Sequence, residues 1–185
     1  MPFSPAENAM VNDIDYENNF IDIKNKYNMK FDYLFYPAQF WPHKNHIYIL
    51  MALKILQEKY NITIGAIFSG SDKGNRQYIQ DSVDGLELSD RVVFTGFVSN
   101  TEMRYLYRQS FALAMPSYFG PTNLPPMESF QLDVPVMYGN IPGAIDQLGE
   151  GVIYMDLNDV NTFAEAVLSL NNESVTKNLE TRSVL

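Results

Sequence analysis

The sequence contains no cysteine. That excludes a disulfide framework, a thiolate metal site and a thiol nucleophile, and it leans towards a reducing compartment. It also lacks any run of about eighteen apolar residues, so no transmembrane segment is predicted. The opening Met1-Pro2-Phe3-Ser4-Pro5 has no basic-then-apolar secretory pattern. Positive charge is scarce: 13 Lys and Arg stand against 22 Asp and Glu, for a formal net charge of -9. This balance excludes nucleic acid and anionic lipid as partners held by general electrostatics. An anionic ligand has to be bound by local donors. These features predict a soluble, cytoplasmic chain.

What is present is ordinary globular composition, with 46% hydrophobic and 19% charged residues in 185. That length suffices for one good core. Residues 1–30 are rich in Asn, Asp and Glu and read as a linker or edge segment, with helical spacing over Asp15 to Tyr27. Residues 31–172 carry apolar runs of strand length: Tyr33 to Tyr36, Ile62 to Phe68, Val92 to Phe94, Phe111 to Met115, Val134 to Met137 and Val152 to Tyr154. Helical spacing separates them, as in Ile49, Leu53, Leu56 and Tyr60, or Phe163, Ala166, Val167 and Leu170. Residues 173–185 form a polar tail. Strands alternating with helices predict an α/β fold: a doubly wound parallel sheet of about six strands with helices on both faces. The strands read as continuous apolar runs, which suits burial on both faces. In such a fold ligands sit beyond the carboxyl ends of the strands, so the loops after each strand hold the candidate site.

The first of these loops, Gln39-Phe40-Trp41-Pro42-His43-Lys44-Asn45-His46, places a lysine at a helix start. That end already carries partial positive charge. Lys44 is therefore either a solvated surface lysine or, with the helix end, a phosphate holder. His43 and His46 have the spacing of a metal pair, but the sequence offers no third histidine and no acidic partner nearby, and no metal site is predicted. Ser69-Gly70 after the second run suits either a tight turn or a ligand contact, and the G-x-G-x-x-G dinucleotide pattern is not completed. Phe97, before the cap Ser99 or Asn100, reads as a nucleobase contact or as packing. The richest loop runs from Pro116 to Phe130. Pro125 and Pro126 fit the first turn of a helix, and Gly120 allows reversal before it. The amides of Thr122, Asn123 and Leu124 would then point out of a helix N-terminus, an anion site made without net charge. Glu128 lies either on the solvent side or in the cleft, where it would accept from a vicinal diol such as a ribose.

At these residues the sequence resembles the retaining glycosyltransferases of the GT-B fold, the large group that includes bacterial mannosyl- and glucosyltransferases. The resemblance covers roughly residues 31 to 171. It is carried by Gln39 to His46, Phe94-Thr95-Gly96-Phe97-Val98, Met115-Pro116-Ser117, and Phe119 to Glu128, with Ile141-Pro142 and Gly149 in support. It implies the C-terminal, donor-binding domain of a two-domain enzyme. Such an enzyme needs no metal or other cofactor and takes a UDP-, GDP- or ADP-sugar. Lys44 matches the lysine on the donor phosphates, Glu128 the second glutamate of E-x7-E that holds the ribose, and Thr122 to Leu124 the backbone that cradles the diphosphate. Two departures stand out. The first glutamate of E-x7-E falls on Gly120, and the arginine that often precedes the lysine by five residues is Gln39. The expected partners are a missing N-terminal acceptor domain and a saccharide or lipid-linked acceptor. Alone, the chain is expected to be inactive. The full-length enzyme could also work at the inner face of the membrane. A non-catalytic nucleotide-binding module is the alternative, and a flavodoxin-like or dehydrogenase domain is disfavoured by its missing signatures. Lys44 and Glu128 are thus the catalytic candidates. Gln39, Ser69, Gly70, Phe97, Gly120, Thr122, Asn123 and Leu124 are the substrate-binding ones.

Overall fold

The computed structural model describes residues 20–119 and 124–182, with the side chains of the last helix described as far as Asn171. Its centre is a six-stranded sheet in the order β3-β2-β1-β4-β5-β6, every pair parallel. The strands are β1 Tyr33–Pro37, β2 Gly65–Ser69, β3 Val92–Gly96, β4 Ala112–Met115, β5 Val136–Gly139 and β6 Ile153–Met155. The helices are α1 Ile23–Lys26, α2 His46–Tyr60, α3 Arg76–Gly85, α4 Asn100–Arg108, α5 Leu124–Gln131, α6 Ala144–Leu148 and α7 Val160–Arg182. This is the doubly wound, Rossmann-like α/β fold that the alternating pattern predicts. The order reverses between β1 and β4, which makes that crevice the topological switch point.

The central strands are buried along their length, β2 and β4 at every position. Their continuous apolar runs have no solvated face to alternate with. Two strands, β2 and β5, start more than one residue later than the sequence pattern suggests. Helix α2 ends with Asn61 in the left-handed conformation (φ 55°), so Ile62 to Ile64 are spent returning to the sheet before β2 opens at Gly65. Asp133 likewise closes α5 at φ 55°, and the Val134 amide donates to the Ser129 carbonyl. Pro135 has no amide to give the ladder, so β5 begins at Val136.

The stretch from Phe20 to Lys30, read from sequence within a linker or edge segment, is fastened to the domain. Ile23 and Met29 are core residues, and the Gln109 side chain accepts from the Ile23 amide (2.9 Å) and donates to the Ile21 carbonyl (2.7 Å). Of the helical spacing over Asp15 to Tyr27, the described part is the single turn of α1, capped by Asp22. At the other end α7 continues through residue 172 to Arg182, so the residues read as a polar tail extend a helix. No helix among the described residues is long and apolar enough to cross a membrane.

Two glycines let backbones meet. A Cβ at Gly65 would come within 2.6 Å of the Arg91 carbonyl oxygen, and one at Gly70 would run into the Ala38 carbonyl, with its carbon at 2.7 Å and the Gln39 nitrogen at 2.9 Å. Gly85, in the last turn of α3, has nothing within 4 Å of such an atom. Gly70→Ala is expected to destabilise the chain by about 1–3 kcal/mol through overpacking against backbone. Gly85→Ala is expected to stabilise it by up to about 1 kcal/mol through helix propensity. Denaturant unfolding of the two variants, with opposite shifts in midpoint, checks both.

Candidate active site at the switch point

The segment after β1 runs Ala38 to Asn45 and is held from both sides. On the β2 side, the Phe40 amide donates to the Ser71 carbonyl (3.0 Å) and Phe40 bridges to Asp72. Gly70 provides the close approach described above. On the β4 side, the His43 carbonyl accepts from the Tyr118 amide (3.0 Å) and the Ser117 hydroxyl (3.4 Å). The His43 ring stacks on Phe119 at 4.4 Å and 13°, and Trp41 continues the stack at 6.4 Å and 22°. The loops after β1 and β4 thus form one surface at the point where the strand order reverses.

Lys44 does not sit in the first turn of α2, as its sequence position suggests. It ends a 3-10 turn, Pro42–Lys44, and Asn45 in the left-handed conformation (φ 56°) separates it from the helix. Asparagine tolerates that geometry better than other side chains of its size. The turn is anchored from below, where the buried Tyr36 hydroxyl donates to the Lys44 carbonyl (3.0 Å). Burial keeps Tyr36 protonated, with its pKa raised far above the ordinary tyrosine value. Lys44 is half-buried, and burial lowers the pKa of its ammonium. Among the described residues no carboxylate is paired with it. A desolvated cation without a counter-charge favours an anion beside it.

The neighbouring histidines differ in environment. His43 is held below its ordinary range by burial and then by Lys44. His46 is enclosed by the rings of Tyr36, Phe40 and Phe68, and burial pushes its pKa down to about 3, so it is neutral at physiological pH. No group of three or more His, Cys, Asp or Glu side chains suited to a metal ion occurs among the described residues.

Glu128 lies in α5, 9% exposed. Its Oε2 accepts from the Tyr107 hydroxyl at 2.6 Å. Leu124 opens α5, with Pro125 and Pro126 directly behind it, as their missing amides allow. Gly120, Thr122 and Asn123 lie outside the described residues. Gln39 is exposed, and its Oε1 accepts from the Trp41 indole nitrogen (3.0 Å), which turns the amide NH2 to other partners. Ser69 is buried and its hydroxyl donates to the Gly96 carbonyl (3.1 Å), while the Gly70 amide donates to the same oxygen (3.1 Å). These two residues fix the loop after β3, where Gly96 at φ 68° turns Phe97 out to 85% exposure. Lys44, Gln39 and Gly70 thus share the β1–β2 side, Glu128 and Leu124 the α5 side, and Phe97 stands apart at the β3 end.

Sequence reasoning missed Tyr107, Ser117 and the Trp41–Gln39 pair. A tyrosine on the apolar face of α4 reads as core, and nothing local marks what its hydroxyl reaches 21 positions away.

Comparison with known proteins agrees with this fold. The family model of the glycosyl transferases group 1 matches residues 17–183. The O-antigen chain mannosyltransferase RfbU of Salmonella typhimurium is 29% identical over 157 residues, covering 83% of this chain and 41% of that protein. The chain spans about two fifths of the curated relatives it matches, at 41% and 38%. Among solved structures, Anabaena Alr3699/HepE in complex with UDP superposes with a TM-score of 0.72 at 15% identity, over 89% of this chain and 44% of that one. The C-terminal domain of a glycosyl transferase group 1 family protein, LpcC, from Francisella tularensis does so with a TM-score of 0.68 at 18% identity, over 94% of this chain and 87% of that one. The six parallel strands are those of GT-B glycosyltransferase neighbours. The chain belongs to the glycosyl transferases group 1 family.

Proposed function

We propose that the chain is the donor-binding half of a retaining glycosyltransferase that builds a polysaccharide or glycoconjugate from a UDP-, GDP- or ADP-sugar. The observation that carries this reading is Lys44: a half-buried ammonium without a paired carboxylate among the described residues, in the turn that follows β1 at the switch point. The named relative acts in O-antigen synthesis, a structural neighbour holds UDP, and a separately solved C-terminal domain has nearly the same extent. The acceptor half then lies outside these residues, and the acceptor is a saccharide or lipid-linked saccharide. Its place of work is the cytoplasm or the inner membrane face.

In this reading the bond between the anomeric carbon and the diphosphate oxygen breaks while negative charge grows on the departing diphosphate. Lys44 stabilises that charge in a site partly withdrawn from water, where each interaction gains strength. The start of α5 adds its partial positive charge, with Thr122, Asn123 and Leu124 as the amide donors. Gln39, with its carbonyl side occupied by Trp41, has its NH2 to donate, at roughly half the strength of a charged donor. Glu128 accepts from the ribose hydroxyls, and Phe97, exposed at the β3 end, is the proposed contact for the base. The work is done without a metal ion or other cofactor. Gly120 and Gln39 favour a second reading, a nucleotide-binding module without transfer. Sugar transfer by the full-length protein separates the two.

Calorimetric titration with UDP, GDP and ADP is expected to give saturable binding of at least one. Lys44→Ala is expected to weaken that nucleotide by about tenfold or more, from the loss of a charge-assisted hydrogen bond, and to leave the matching nucleoside unaffected. Because burial lowers the Lys44 pKa, the ammonium is lost below the ordinary lysine value of about 10.4, and bound phosphate opposes that loss. Wild-type affinity should therefore fall as pH is raised into the alkaline range, with proton uptake on binding, while Lys44→Ala stays flat. Glu128→Ala should raise the nucleotide dissociation constant by about tenfold; unchanged affinity removes Glu128 from the site.

A further inference from the structure

We propose that Tyr107 is a positioning residue that orients the Glu128 carboxylate towards the vicinal hydroxyls of a ribose; this rests on the reading of Glu128 given above. The Tyr107 hydroxyl donates to Glu128 Oε2 at 2.6 Å, in the buried space between α4 and α5. The ring itself cannot drift. It packs edge-on against Phe35 of β1, with centroids 4.9 Å apart and planes at 85°, and the residue's carbonyl accepts from the Ser110 hydroxyl (2.7 Å) where α4 turns towards β4. Burial and the adjacent carboxylate raise the Tyr107 pKa well above its ordinary value, so the hydroxyl is always a donor.

Glutamate is among the side chains that lose most rotamer freedom when ordered. A carboxylate that must accept from two adjacent hydroxyls has to hold both its torsions and its plane. One fixed donor on Oε2 sets that plane and leaves lone pairs on both oxygens for the diol. Preorganisation of this kind raises affinity by reducing what binding must order. A tyrosine serving the core alone would supply its ring, and its hydroxyl would have no bearing on which ligand binds.

The test measures how strongly the 2′-hydroxyl is recognised. Whichever of UDP, GDP and ADP binds this chain most tightly is titrated beside its 2′-deoxy form, in wild type, Tyr107→Phe, Glu128→Gln and the double variant, with thermal melting as the folding control. The expected wild-type preference for the ribo form is about tenfold or more, since a site built for a hydroxyl rejects the analogue lacking it. Glu128→Gln should bring the preference close to one. Tyr107→Phe should reduce it severalfold while leaving the affinity for inorganic pyrophosphate unchanged, and the double variant should match Glu128→Gln. If Tyr107→Phe keeps the wild-type preference while Glu128→Gln loses it, the positioning role is overturned and the ribose role of Glu128 stands. If neither substitution moves the preference, the reading of Glu128 falls and this inference with it. Should Tyr107→Phe fail to fold, Phe35→Leu, which loosens the seat of the ring, is scored by the same ratio.

Discussion

The packing of the segment after β1 between its two neighbours is the constraint on which the rest of the site depends. Gly70 brings the β2 loop against the Ala38 carbonyl, and the His43 carbonyl draws in Tyr118 and Ser117 from the β4 loop. Neither clamp involves a charge. The first is a close backbone approach, and the second pairs a backbone carbonyl that would be costly to leave unpaired near the core. The turn that carries Lys44 is thus fixed from both sides and from below by Tyr36.

That rigidity matters because the chain as a whole repels anions. With a net charge of -9, long-range attraction cannot concentrate a phosphate ligand near the site. In the proposed function the route is short-range: one cation partly stripped of water, a helix start, and neutral donors such as the Gln39 amide. Partial burial of Lys44 costs stability in the empty protein, and an anion offsets that cost. His46 illustrates the opposite solution. In its cage of rings the same kind of titratable group stays uncharged.

Much of the fold was legible because its signals are local. Apolar runs flanked by turn residues mark strands wherever both faces are buried, and Phe163, Ala166 and Val167 mark the core face of α7. Boundaries slipped where the chain used a left-handed residue or a proline to turn, at Asn61 and at Pro135, since such choices depend on what the next element must reach. The candidate site was legible in part. Lys44 closes the turn after β1 and is half-buried, and Glu128 lies in α5, 9% exposed. The hydroxyl of Ser69 went to the Gly96 carbonyl, because a small buried polar group must find a partner and the nearest was the β3 loop. Tyr107 was invisible for the converse reason. The contact of its hydroxyl with Glu128 is long-range, and no periodicity encodes it.

Phe35 and Tyr36 are consecutive in β1, so their side chains leave the strand on opposite faces. One seats Tyr107 and the other ties down the turn that carries Lys44. Two residues of a single strand thereby set the spacing between the groups assigned to the two ends of the ligand. A change at Phe35 is felt at Tyr107 and a change at Tyr36 at the Lys44 turn, each on its own face of the sheet. The tip beyond β3 is free of both constraints. There Phe97 projects freely, and a change of side chain alters no internal distance.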